Sequence, residues 1–174
     1  MKKRLISIAL LVAVMTTFAF GPTVAVQAAP PAPALSVPVT GTFTDALGGT
    51  GTFVGSVGLQ SFKVVNGALV AVGTLTGTLT DSLGNVLGTV TQSITLPVSN
   101  ISATCDILHL ELGPLDLTLL GLNVHLDKVV LDITATQGGG LLGDLLCSLA
   151  DLLNGNAALG SIARLLNNIL RILG

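Results

Sequence analysis

Both histidines and both cysteines of the chain fall within one stretch, Thr104–Leu153, and they are the side chains best suited to chemistry. His109-x-Glu111 and Asn123-x-His125-x-Asp127 space imidazole and carboxylate groups two residues apart, which puts them on one face of an extended strand. Imidazole nitrogen and carboxylate oxygen are ligands for zinc and other divalent ions. His109, Glu111, His125 and Asp127 are therefore a candidate metal set if their two segments align. The same groups could serve as general acid and base. A solvated outer strand face selects such residues with no ligand at all, so no metal or cofactor is assigned from the spacing. A nucleophile is missing: the sequence has no G-x-S-x-G, no H-E-x-x-H and no phosphate-binding glycine loop. The chain is expected to be non-catalytic.

Cys105 and Cys147 are the only cysteines, and the leader bears on how to read them. Lys2, Lys3 and Arg4 precede an apolar run from Leu5 to Phe20, and Val26-Gln27-Ala28 offers small residues at a cleavage site. That pattern is a secretory signal peptide over residues 1–28, followed by a Pro/Ala-rich linker at 29–38 and one domain at 39–174. The expected location is secreted or periplasmic, with no membrane-spanning helix in the mature chain. In an exported protein, two such cysteines read as a disulfide fastening a helix to the β part. Free thiols or a redox pair are the alternatives, although the C-x-x-C spacing of a redox pair is absent.

Cleavage after Ala28 leaves four cations against nine acids, a net charge of −5. Such a chain lacks the basic footprint of a nucleic-acid binder. Trp and Tyr are absent, so stacking platforms for bases or sugars are nearly missing as well.

The elements that position these groups begin with a repeat. Thr40–Gly49, "TGTFTDALGG", and Thr76–Asn85, "TGTLTDSLGN", are identical at seven of ten positions. Each runs from an alternating segment into Asp and a Leu-Gly turn, then out into another alternating segment, the pattern of a β-hairpin. Leu75, Leu79, Val86, Val90, Ile94 and Leu96 share one face and threonines the other, as in a half-buried antiparallel sheet. Gly41, Gly51, Gly55, Gly73, Gly77 and Gly88 fall on the inward face, where glycine lets a sheet coil tightly. Threonine rows also occur on ice-binding surfaces, but those need a flat, many-rung solenoid that two repeats do not make.

Alternation continues through Leu108–Leu112, Leu115–Leu119, Leu122–Leu126 and Val129–Ala135, with phase resets at Gly113-Pro114 and Gly121. The expected fold is mainly β: an antiparallel curled sheet, barrel or sandwich of about eight or nine strands. A two-helix hairpin over about 140–173 follows, broken at Asn154-Gly155-Asn156, which supplies a C′ glycine and an N-cap asparagine. Both helices carry a narrow polar arc and a broad apolar face.

"CDILHLELGPLDLTLLGLNVHLDKVVLDITA" followed by "GGLLGDLLCSLADLL" resembles a group of uncharacterised exported bacterial proteins. The resemblance covers about residues 39–153 and implies export and paired cysteines at Cys105 and Cys147. It implies no activity. Three functional classes follow: a structural or binding protein of the envelope or extracellular space; a carrier of a hydrophobic small molecule or lipid; and a hydrolase using the His, Asp and Glu groups. The apolar C-terminal helices are the expected route to a hydrophobic ligand or protein partner in the first two.

Overall fold

A computed structural model describes residues 35–174. The signal segment and the first part of the linker lie outside the described residues. The chain forms β1 (Leu35–Thr44), β2 (Thr50–Val65), β3 (Ala68–Thr80), β4 (Val86–Ala103), β5 (Ile107–Leu112), β6 (Leu115–Leu119), β7 (Leu122–Leu126) and β8 (Val129–Thr134). Helices α1 (Leu141–Asn154) and α2 (Leu159–Leu173) complete it. The first strand thus starts at Leu35, inside the segment expected to be linker, because Leu35–Pro38 pair with Ser56–Leu59 of β2.

The eight strands make one antiparallel sheet in the order β6-β7-β1-β2-β3-β4-β5-β8. The sheet is open, with β6 and β8 at its two ends. Its curl comes from the last four strands. Ile107 pairs with Thr134 and Leu112 with Val129, and beyond the Gly113-Pro114 kink Leu115 pairs with Leu126 and Leu119 with Leu122. One register runs through both pairings, so β5–β6 and β7–β8 are two halves of a single ribbon. The base of that ribbon bonds to β4 through β5, and its tip bonds to β1 through β7. The two ends of the sheet are therefore tied together by the chain itself. A Cβ at Gly88 of β4 would lie 2.8 Å from Leu120 at the ribbon tip.

Turn chemistry sets the hairpins. Asn66-Gly67 and Leu120-Gly121 are two-residue turns with positive φ at both positions (50° and 78°; 50° and 83°), the backbone twist that antiparallel strands require. The two repeat turns are alike: Asp45 N–H donates to Gly49 O and Gly48 N–H to Asp45 O, and Asp81, Asn85 and Gly84 repeat both bonds.

Inward side chains follow the expected alternation. Phe53, Leu75, Leu79, Leu96, Leu108, Leu110, Leu112 and Leu126 are fully buried, and Leu146, Leu149 and Leu166 meet them from the helices. Val86, expected inward, is instead exposed, because a register irregularity at Leu79/Thr80 pairs it with Thr80 beside the β3–β4 turn. Inward glycine has a visible reason at Gly55 and Gly77. They face each other across β2 and β3, and a Cβ on Gly77 would come within 2.4 Å of the Phe53 ring. Phe53 lies over the bare backbone of both.

The helical connection differs from expectation in one respect. Asn156 takes a left-handed conformation (φ 54°), which asparagine tolerates, and so does not cap α2; Ala158 precedes that helix. Gly155 closes α1 at φ −88°, its N–H bonded to Asp151 O. A disulfide joins Cys105, between β4 and β5, to Cys147 of α1. Closing a loop of this length stabilises a fold by about 4 kcal/mol in the chain-entropy treatment.

Candidate functional site

The structure separates the candidate metal ligands. His109 and Glu111 lie on β5, His125 on β7 and Asp127 just beyond it, and β1 to β4 stand between β5 and β7 in the sheet. Among the described residues, no three His, Cys, Asp or Glu side chains come together as a metal cage. Each histidine instead faces an aspartate directly across the ribbon. His109 Nδ1 lies 2.5 Å from Asp132 Oδ1, and His125 Nδ1 lies 2.6 Å from Asp116 Oδ1. Glu111 sits 3.7 Å from His109 Nε2 and accepts from Lys128 Nζ at 3.1 Å. Asp127 accepts from the Thr40 hydroxyl at 2.7 Å.

The His109 imidazole is held above its ordinary pKa, chiefly by its hydrogen bond to Asp132. Neither imidazole is bonded to a serine, threonine or thiol among the described residues. Asp116 and His125 also border an open polar hollow of about 520 Å³, lined with Thr42, Thr44, Thr50 and Thr118. The aspartate partners were legible in principle. Both His–Asp pairs are symmetric about Leu120-Gly121, so placing a two-residue turn there pairs them at once.

Two further polar arrangements are structural. Asp45 is buried; its Oδ1 accepts from Leu47 and Gly49 N–H, and its Oδ2 from the N–H and hydroxyl of Ser82. These bonds, led by the Ser82 hydroxyl, pull its pKa down to about 2. The first repeat turn thereby clasps the second. The repeats diverge to allow it: Gly49 leaves the space that Ser82 fills, whereas at the matching position Asn85 bonds Asp81 itself. The second arrangement joins Asn167 of α2 to the Phe62 backbone through two bonds.

Comparison with protein families, curated proteins and solved structures finds no match to this chain. Among the described residues, no helix is long and apolar enough to cross a membrane. The disulfide fits an oxidising compartment.

Proposed function

We propose that the chain is an exported, non-catalytic protein with a structural or binding role in the cell envelope or extracellular space. The observation that carries this reading is that the outer-face ionisable groups pair with one another: His109 with Asp132, His125 with Asp116, and Lys128 with Glu111. Groups tied up in cross-strand pairs support a scaffold better than a reaction centre. The Cys105–Cys147 bridge supports the exported compartment, as does the basic-then-apolar leader.

Mass spectrometry of protein purified from its export compartment tests this. The denatured mass should correspond to cleavage after Ala28 with two hydrogens missing for the bridge. A full-length or fully reduced mass would overturn export. The native mass should carry no small-molecule adduct. A lipid released on denaturation would replace this reading with that of a hydrophobic carrier, and a stoichiometric metal would favour catalysis.

A further inference from the structure

One end of the sheet carries leucine at the tips of three separate turns. Leu47 is 77% exposed, Leu83 72% and Leu120 58%, in positions where turns ordinarily carry Gly, Asn, Asp or Ser. Leu47 and Leu83 are equivalent residues of the repeat, each with its N–H fixed on the aspartate that opens the turn. Leu120 holds a φ of 50°, a left-handed conformation unfavourable for leucine. None of the three gains burial in return, which marks them as contact residues rather than core.

Between the turns lies an apolar hollow of about 310 Å³, lined by Ala46, Leu47, Leu87, Leu120 and Leu122, with Asp45 and Asp81 in its wall. Asp81 differs from its repeat counterpart. Each carboxylate accepts four hydrogen bonds, two on each oxygen of Asp45 but three on Asp81 Oδ1 and one, from Asn85 Nδ2, on Asp81 Oδ2. Cations are placed elsewhere: Lys63 stands toward the far end of β2, Lys128 pairs with Glu111, and Arg164 and Arg171 lie on α2. The end is apolar and acidic, with no described basic group in the hollow's lining.

We infer that this end docks an extended peptide segment of a protein partner in which apolar side chains alternate with Lys or Arg. An aliphatic side chain enters the hollow, the three leucines pack along its neighbours, and a flanking cation meets Asp81 at Oδ2, the oxygen with a single hydrogen bond. The inference rests on the binding reading above, whose mass-spectrometric test is independent of the probes used here. Charge complementarity selects this occupant: anionic lipid headgroups would face Asp81 with like charge.

The test is an amide NMR titration of the oxidised mature protein with a short peptide alternating leucine and lysine. Its glutamate-for-lysine analogue and phosphatidylcholine vesicles serve as competing probes. The leucine–lysine peptide should shift amides of 45–49, 81–87 and 119–122, and the glutamate analogue should not. Leu47→Ser with Leu83→Ser should abolish the shifts, and Asp81→Asn should weaken binding about fivefold, as for an exposed ion pair. Equal binding of the two peptides, binding of the vesicles alone, or no shift with any probe would overturn the inference. So would concentration-dependent self-association through the same amides, which would make a second copy the occupant.

Discussion

The side-chain amide of Asn167 stands in for a β-strand at Phe62. Its Oδ1 accepts the Phe62 N–H at 2.7 Å and its Nδ2 donates to the Phe62 carbonyl at 2.9 Å. Among the described residues, pairing of β1 with β2 reaches Leu35 and Leu59, while β2 and β3 run on past an irregularity at Leu59/Ser61. Beyond that point no strand among the described residues lies beside this edge of β2, and α2 supplies a donor and an acceptor there. Buried backbone groups left unpaired are costly, so this contact fixes where the helix lies.

Replacing Asn167 with leucine would leave both Phe62 backbone groups unsatisfied, at about 1–3 kcal/mol each. Asn167→Leu should therefore lower the urea midpoint by the equivalent of about 2–6 kcal/mol with the slope unchanged. Asn167→Asp offers a sharper comparison. It keeps an acceptor for the N–H but sets a second oxygen against the Phe62 carbonyl, so it too should destabilise. A variant as stable as the parent would show that the amide does not anchor α2.

Period-two alternation was enough to reveal the sheet, because each inward row from Leu75 to Leu131 reads directly as a face. The helices were equally plain from their apolar arcs. Three features were hidden for physical reasons. The Asn167 contact joins residues 105 positions apart, and nothing local distinguishes it from a solvated asparagine. Val86 obeys the alternation yet is exposed, since a strand-end irregularity is set by pairing rather than by pattern. The metal candidates sat on the expected outer faces, but topology, which alternation does not encode, placed β5 and β7 on opposite sides of four strands.

The clasp between repeat turns predicts an acid-labile element. Asp45 titrates at about 2 when folded, against an ordinary 3.8. A depressed carboxyl contributes stability that is fully present above the unfolded value and is lost as pH falls toward the folded one. Melting temperature should thus drop between about pH 4 and 2. Ser82→Ala, which removes the largest cause of the depression, should flatten that dependence. An identical pH profile in the variant would detach the turns from acid stability.

Phe53 over two facing glycines predicts a packing limit. Gly77→Ala would bring a Cβ to 2.7 Å from Val54 O as well as into the Phe53 ring, and the strand backbone has little room to yield. The expected cost is about 1–3 kcal/mol, the usual range for overpacking a filled core. Gly67 makes a useful contrast: it has open space around it but a φ of +78°, so alanine there strains the backbone alone. Chemical unfolding of Phe53→Leu combined with Gly77→Ala should recover part of the loss. No recovery would place the clash on the backbone.

The bridge predicts which part loosens first. Cys105→Ser with Cys147→Ser should lower stability by about 4 kcal/mol, read by chemical denaturation. Beyond the bridge, α1 is held by its apolar face and α2 by Asn167, so amide exchange should quicken most in α1. Uniform acceleration across the sheet would mean the bridge supports the whole domain and not the helix alone.

The His109–Asp132 pair predicts a basic-side counterpart to the Asp45 clasp. Its imidazole titrates above the ordinary 6.5, with the Asp132 hydrogen bond the largest cause and nearby Glu111 adding to it. A raised histidine contributes stability that is fully present below the unfolded value and is lost as pH rises through the folded one. Proton NMR of the imidazole should place the His109 midpoint above 6.5 in the parent and bring it down in Asp132→Asn. Glu111 remains 3.7 Å away in that variant, so the midpoint should stay somewhat above that of a free imidazole. A midpoint unmoved by Asp132→Asn would show that Glu111, not the cross-strand aspartate, holds the proton.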